Sequence, residues 1–187
     1  MATYLASIQD LEALTGADAG DPLVALALRR ASGRFIDAIG YDPSYRADAV
    51  FTVSAYTREV LFLPVAPIHS IDEIYNLRAG EAVDSSLYAF DSETGAIFCT
   101  KPDVQYWPTG FSALRVTATV GFERIPDGIQ DAVLEQALAL YSAPDITIQQ
   151  ISQGSRSISF MSRSATGVTQ RWSDAVAMYR RGNVDAG

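Results

Sequence analysis

The stretch LFLPVAPIHSIDEIY, residues 61–75, carries two readings at once. Its flanks alternate apolar and polar residues like half-buried strands, yet Pro64 and Pro67 interrupt the middle. Proline lacks an amide donor and has no place inside a central strand. One strand therefore ends at Pro64 and the next starts at Pro67, with Val65 and Ala66 between them. Such a pair bends a sheet and blocks edge pairing at the bend. Two uses fit equally: a corner in a small barrel, or a guard against unwanted edge-to-edge pairing between copies.

Around this kink the chain reads as strands. VFTVSAY, EVLFLP, IHSIDEIYNL, LYAF, GAIFCT and SALRVTATVGF are short runs rich in β-branched and aromatic residues. Turn residues divide them, among them Ala79-Gly80, Glu93-Thr94-Gly95 and Pro108-Thr109-Gly110. The last run alternates cleanly, Leu114, Val116, Ala118 and Val120 on one face and Arg115, Thr117 and Thr119 on the other. Short links favour antiparallel pairing.

Further out, the periodicity becomes helical. Ser7 begins a short helix that Gly16 ends. Asp21 and Pro22 open a longer one, with Val24, Leu28, Ala31, Phe35 and Ile39 along one stripe. After the strands, Asp127 is read as the cap of a third helix buried through Ile129, Val133, Gln136, Ala137 and Leu140. A Ser- and Gln-rich arm follows, DITIQQISQGSRSISFMSRS, with little charge and short alternating runs; it reads as a strand donor to another chain. A last helix, from about Ala165 to Arg181, is striped by Val168, Trp172, Ala175, Val176 and Tyr179. The expected class is α+β: a small helical bundle with an inserted antiparallel β-subdomain and a C-terminal arm plus helix. The segments are 1–49, 50–122, 123–144 and 145–187, within one domain overall.

The chain has 187 residues, 48% of them apolar and 19% charged, in keeping with a folded domain. A single cysteine, Cys99, rules out an internal disulfide. MATYLASIQD does not have the pattern of a signal peptide, and no apolar run approaches the roughly 20 residues that span a bilayer. The expectation is a soluble protein made inside the cell, with no membrane partner. The net charge of −8 speaks against phosphate binding as the main task. That charge is uneven. Residues 150–187 hold Arg156, Arg163, Arg171, Arg180 and Arg181 against Asp174 and Asp185, a net +3, which leaves −11 on the rest. A basic tail on an acidic body points to a partner of its own for the tail.

Catalytic chemistry finds little support. The single histidine, His69, has no second histidine or cysteine nearby for a metal and no nucleophile elbow to serve. Cys99 lies between apolar neighbours and reads as a buried, inert thiol. Asp72 and Glu73 point to opposite faces of a strand, which is wrong for paired acid–base work. No phosphate-binding glycine loop is present. Tyr106, Trp107 and Phe111 offer a conceivable sugar or base platform, but read more simply as aromatics covering a core at a hairpin end. Neither an enzyme nor a cofactor is expected.

The order of the pieces resembles the head–tail connector (adaptor, or head-completion) proteins of tailed double-stranded-DNA bacteriophages. The resemblance rests on ALRRASGRFIDAIGY, the proline-bearing LFLPVAPIHSIDEI, the turn YWPTGFSALRVTATVGF, the junction ERIPDGIQDAVLEQALALY, the arm ISQGSRSISF and the closing AMYRR. It covers nearly the whole chain, although the arm lacks an acidic residue that such proteins often carry there. It implies a non-enzymatic ring, twelve-fold, beneath the portal protein. That ring extends the DNA channel without sequence-specific binding and receives the stopper or tail below. A stopper or tail-completion protein of the same assembly is the alternative, and a small carbohydrate-binding module or enzyme a more distant one. The resemblance places the portal grip in the C-terminal segment. The candidates there are Ile151, Arg156, Ile158, Phe160 and Arg163 on the arm, and Arg171, Trp172, Tyr179, Arg180 and Arg181 on the last helix. Candidates for ring or stopper contacts are Pro64, Pro67, His69, Tyr106 and Trp107.

Overall fold

The two prolines separate two sheets. The computed structural model describes residues 4–55, 59–100, 107–108, 110–142 and 169–180. In chain order the elements are α1 (Ile8–Thr15), α2 (Pro22–Ile39), β1 (Arg46–Ala55), β2 (Val60–Phe62), β3 (Ile68–Asn76), β4 (Glu81–Ala82), β5 (Tyr88–Phe90), β6 (Ala96–Cys99), β7 (Gly110–Val120), α3 (Asp127–Tyr141) and α4 (Gln170–Tyr179). A 3₁₀ turn at Ser85–Leu87 precedes β5. The fold is α+β, with antiparallel sheets. The described helices form one compact unit and the described strands another.

In the helical unit, local signals set the ends and periodicity sets the core. The Ser7 hydroxyl accepts the Asp10 N–H at 3.3 Å, and Gly16 closes α1 with a left-handed φ of 68°. Asp21 takes the Leu23 N–H at 2.8 Å to start α2. Its other oxygen accepts the Tyr141 hydroxyl at 3.2 Å, tying the start of α2 to the end of α3. Val24, Leu28, Ala31, Phe35 and Ile39 are all buried, as their spacing predicts. Each large side chain so buried contributes roughly 1.5–3 kcal/mol. Ser32, also buried, accepts the Leu5 N–H at 3.1 Å, so the polar group that interrupts this face is satisfied. On α3, Ile129, Val133, Gln136 and Ala137 are buried, whereas Leu140 is only half-buried. Asp127 proves to be the first residue inside the helix; Pro126 is the N-cap and has no side-chain bond to give. The Pro126 carbonyl instead accepts the Ile129 and Gln130 amides at 2.9 and 3.1 Å.

The β unit is built from sheets ordered β1-β7-β3-β4 and β2-β6-β5. They share one core. Leu61 and Ile97 from the second sheet meet Val53, Ile74, Leu114, Val116, Ala118 and Val120 from the first. The alternation of the opening stretch runs straight through Pro64: Leu61, Leu63 and Val65 are buried, Phe62 and Pro64 exposed. Strand pairing does not run through. The β2–β6 ladder spans Val60 to Phe62, and the Leu63 N–H adds one last bond to the Gly95 carbonyl at 3.0 Å. Across the cis Ala66–Pro67 bond the chain then enters β3 and pairs with β7. The prolines thus stand where the chain leaves one sheet for the other, and no ladder bond has to be given up for them.

Candidate interaction site

Two regions carry the described candidates, one in each unit. In the helical unit the region is α4. Thr169 accepts the Trp172 N–H at 3.2 Å and so fixes the start of the helix at Gln170. Trp172 turns inward and meets the Phe35 ring edge-on, with centroids 5.2 Å apart and planes at 87°. It is 7% exposed, so it seats the helix and offers no surface to a partner. Arg171 faces outward and lies 3.3 Å from Glu135 of α3. With its side chain 68% exposed, this pair adds well under about 1 kcal/mol and leaves the guanidinium accessible. Arg180 and Met178 are exposed and Tyr179 is half-buried. Between α3 and α4 runs a groove of about 490 Å³ lined by Glu135, Leu138, Ala139, Ser142, Thr169 and Arg171, among others. Ser142 and Thr169 are the last described residues on either side of the arm. Ile151, Arg156, Ile158, Phe160, Arg163 and Arg181 lie outside the described residues.

In the β unit the region is the end of the sheets where the proline turn sits. The Pro67 carbonyl accepts the Gly121 N–H at 2.8 Å. His69 lies exposed on β3, and its Nε2–H donates to the Gly121 carbonyl at 2.7 Å. The Phe122 N–H donates to the Pro43 carbonyl at 2.8 Å, and the Tyr45 ring lies 5.6 Å from the His69 ring. Gly121 has a φ of 89°, and a Cβ there would run into the Ser44 carbonyl. Only glycine lets three segments distant in sequence close on one point. Pro64 and His69 are exposed and Pro67 half-buried, so this turn is accessible.

Trp107 is placed differently from a contact residue. It is 1% exposed, belongs to the core and lies 6.3 Å from Tyr88. At that exposure its ring offers almost no surface of its own. Its Nε1 is buried with no hydrogen-bond partner among the described residues. Tyr106 lies outside them. Cys99 packs against the same core, and burial pushes its thiol pKa up, away from the reactive thiolate. Sequence reasoning missed the outward face of the second sheet, where Phe62 and Phe98 are 45% and 41% exposed. The available signal was that VLF and AIFC are apolar at every position, more than a half-buried strand requires.

The fold of this chain is similar to that of chains of known structure. One similar chain belongs to the neck of an empty gene transfer agent particle computed with C6 symmetry; the TM-score is 0.61 at 14% identity, over 96% of this chain and 91% of the other. A second comes from the neck of the native particle computed with C12 symmetry, with a TM-score of 0.54 at 15% identity over 100% and 98% of the two chains. A third, from the virion of the native particle, gives 0.54 at 15% identity over 100% and 93%. At this level of identity the likeness concerns the fold, and at that level the resemblance read from the sequence holds. No protein-family model matches the chain. No curated protein matches it either.

Proposed function

We propose that this chain is a structural subunit of the neck of a phage-like particle, one of a ring of copies set between the portal and the stopper or tail. One observation carries the reading: the fold likeness, over 96% or more of the chain, to chains from the neck of a gene transfer agent particle. The symmetric neighbours favour self-association, and the acidic body favours a channel through which DNA slides without being held. In this reading the arm and α4 grip the portal through Arg156, Arg163 and Arg171, and the proline turn with His69 faces the next copy or the stopper. The role is non-enzymatic.

The test is imaging of the cognate portal mixed with the full chain and with a chain ended after Pro144. A ring added by the full chain alone is the expected result. No ring with either chain overturns the reading. Replacing the three arginines with glutamate should abolish portal binding; unchanged binding at moderate salt removes them as the grip.

A further inference from the structure

We propose that the outer face of the β2-β6-β5 sheet is a contact between neighbouring copies of this chain. The inference rests on the ring reading above and assigns a surface to it. Register defines the face. Val60 stands opposite Phe98, Phe98 opposite Ala89, and Phe62 lies two residues from Val60 on the same side. On the opposite face Leu61 and Ile97 are in the core and Phe90, opposite Ile97, is 36% exposed; on the outer face Ala96, opposite Phe62, is buried. Phe62 and Phe98 are 45% and 41% exposed, and Ala89 is exposed beside them. Phe62 and Phe98 thus expose two large apolar side chains on one side of a three-stranded sheet, beside the exposed Ala89.

Charge selects the occupant. Every copy carries −8, so two copies repel wherever carboxylates face each other. The strands VLF, YAF and AIFC contain no charged residue at all. Identical acidic chains can approach at such a face without desolvating like charges. Nucleic acid is a poor occupant because the strands have no cation to meet a phosphate. Aromatic side chains at the centre of an uncharged patch are also the usual anchors of a protein contact. A ring contact is heterologous, so this face meets a different surface of the next copy and not its own equivalent.

The test uses Phe98→Glu and Ala89→Glu, with Val50→Glu on β1 as a control of greater exposure (61%). Assembly on the cognate portal is counted by imaging, and folding is checked by circular dichroism. Phe98→Glu and Ala89→Glu should lower the ring-bearing fraction by at least about tenfold, as loss of a central anchor does; Val50→Glu should assemble as the unaltered chain. Hydroxyl-radical labelling of the unaltered chain gives a readout without any substitution: Phe62 and Phe98 should be protected in the ring relative to the dilute chain. Rings of normal abundance with either glutamate, or equal labelling in ring and dilute chain, overturn the proposal. So do rings that form normally but fail to take up the next neck component, since another protein then covers the face. Absence of rings from the unaltered chain overturns the function itself, and this contact with it.

Discussion

Each unit buries one of the chain's two tryptophans, and the two are held by different means. Trp172 lies on a helix, falls on the stripe its spacing predicts, and meets Phe35 edge-on. Trp107 lies in a connection between strands, enters a core built by two sheets, and leaves its indole N–H without a partner among the described residues. Within each helix the buried stripe is set by neighbours three and four residues apart, although the contacts it makes, as Trp172 with Phe35, are distant in sequence. The β unit is organised by residues some fifty apart, as at His69 and Gly121, whose separation is 52. Which face a helix buries is local information, whereas burial in the β unit exists only once the sheets have paired.

The largest expected effects would break this contrast. Trp107→Ala should destabilise by about 3–5 kcal/mol, because its site is enclosed on all sides and cannot collapse. Trp172→Ala should cost less, about 3 kcal/mol, the low end of the range for such truncations, because its helix can resettle on α2. Denaturant melts read the total, and amide exchange in β7 and in α2 shows which unit each change opens. Equal losses, or a larger one for Trp172, would remove the distinction.

Gly121→Ala comes next. It combines a left-handed φ with a clash against the Ser44 carbonyl and should cost about 2 kcal/mol or more, read as a lowered urea midpoint. Gly20→Ala sharpens the point, since its φ of 85° is similar but nothing lies within contact of the added Cβ; it should cost about 1 kcal/mol. Thr169→Ala removes the cap of α4 and should cost about 1 kcal/mol, visible as faster exchange of the Trp172 amide.

The smallest effect concerns pH. The Thr94 and Glu93 amides hold the Asp91 carboxyl below the usual carboxylate range, in the turn between β5 and β6. A lowered native pKa means that the support is complete above the unfolded carboxyl's titration and is lost as pH falls through the native one. Exchange of the Gly95 amide, which donates to the Asp91 carbonyl, should therefore quicken in acid beyond its intrinsic rate; Asp91→Asn should remove that dependence.

The sequence by itself determined that four helices form, most of the strand positions and the inward face of β7, because i+3, i+4 and i+2 spacings are properties of the chain before it folds. It did not place the start of the last helix, expected near Ala165 and set at Gln170 by the extended Thr169. It also marked the kink at Pro64 and Pro67 between two strands. Only the tertiary structure decided that the kink divides two sheets, that β3 pairs with β7 while β2 pairs with β6, and that Trp107 is core where a surface aromatic was one expectation. It also placed the cap of α3 on Pro126 and put Phe62 and Phe98 on an open face. Those outcomes depend on which distant backbone groups find each other and on what volume remains between the sheets, and no local pattern encodes either.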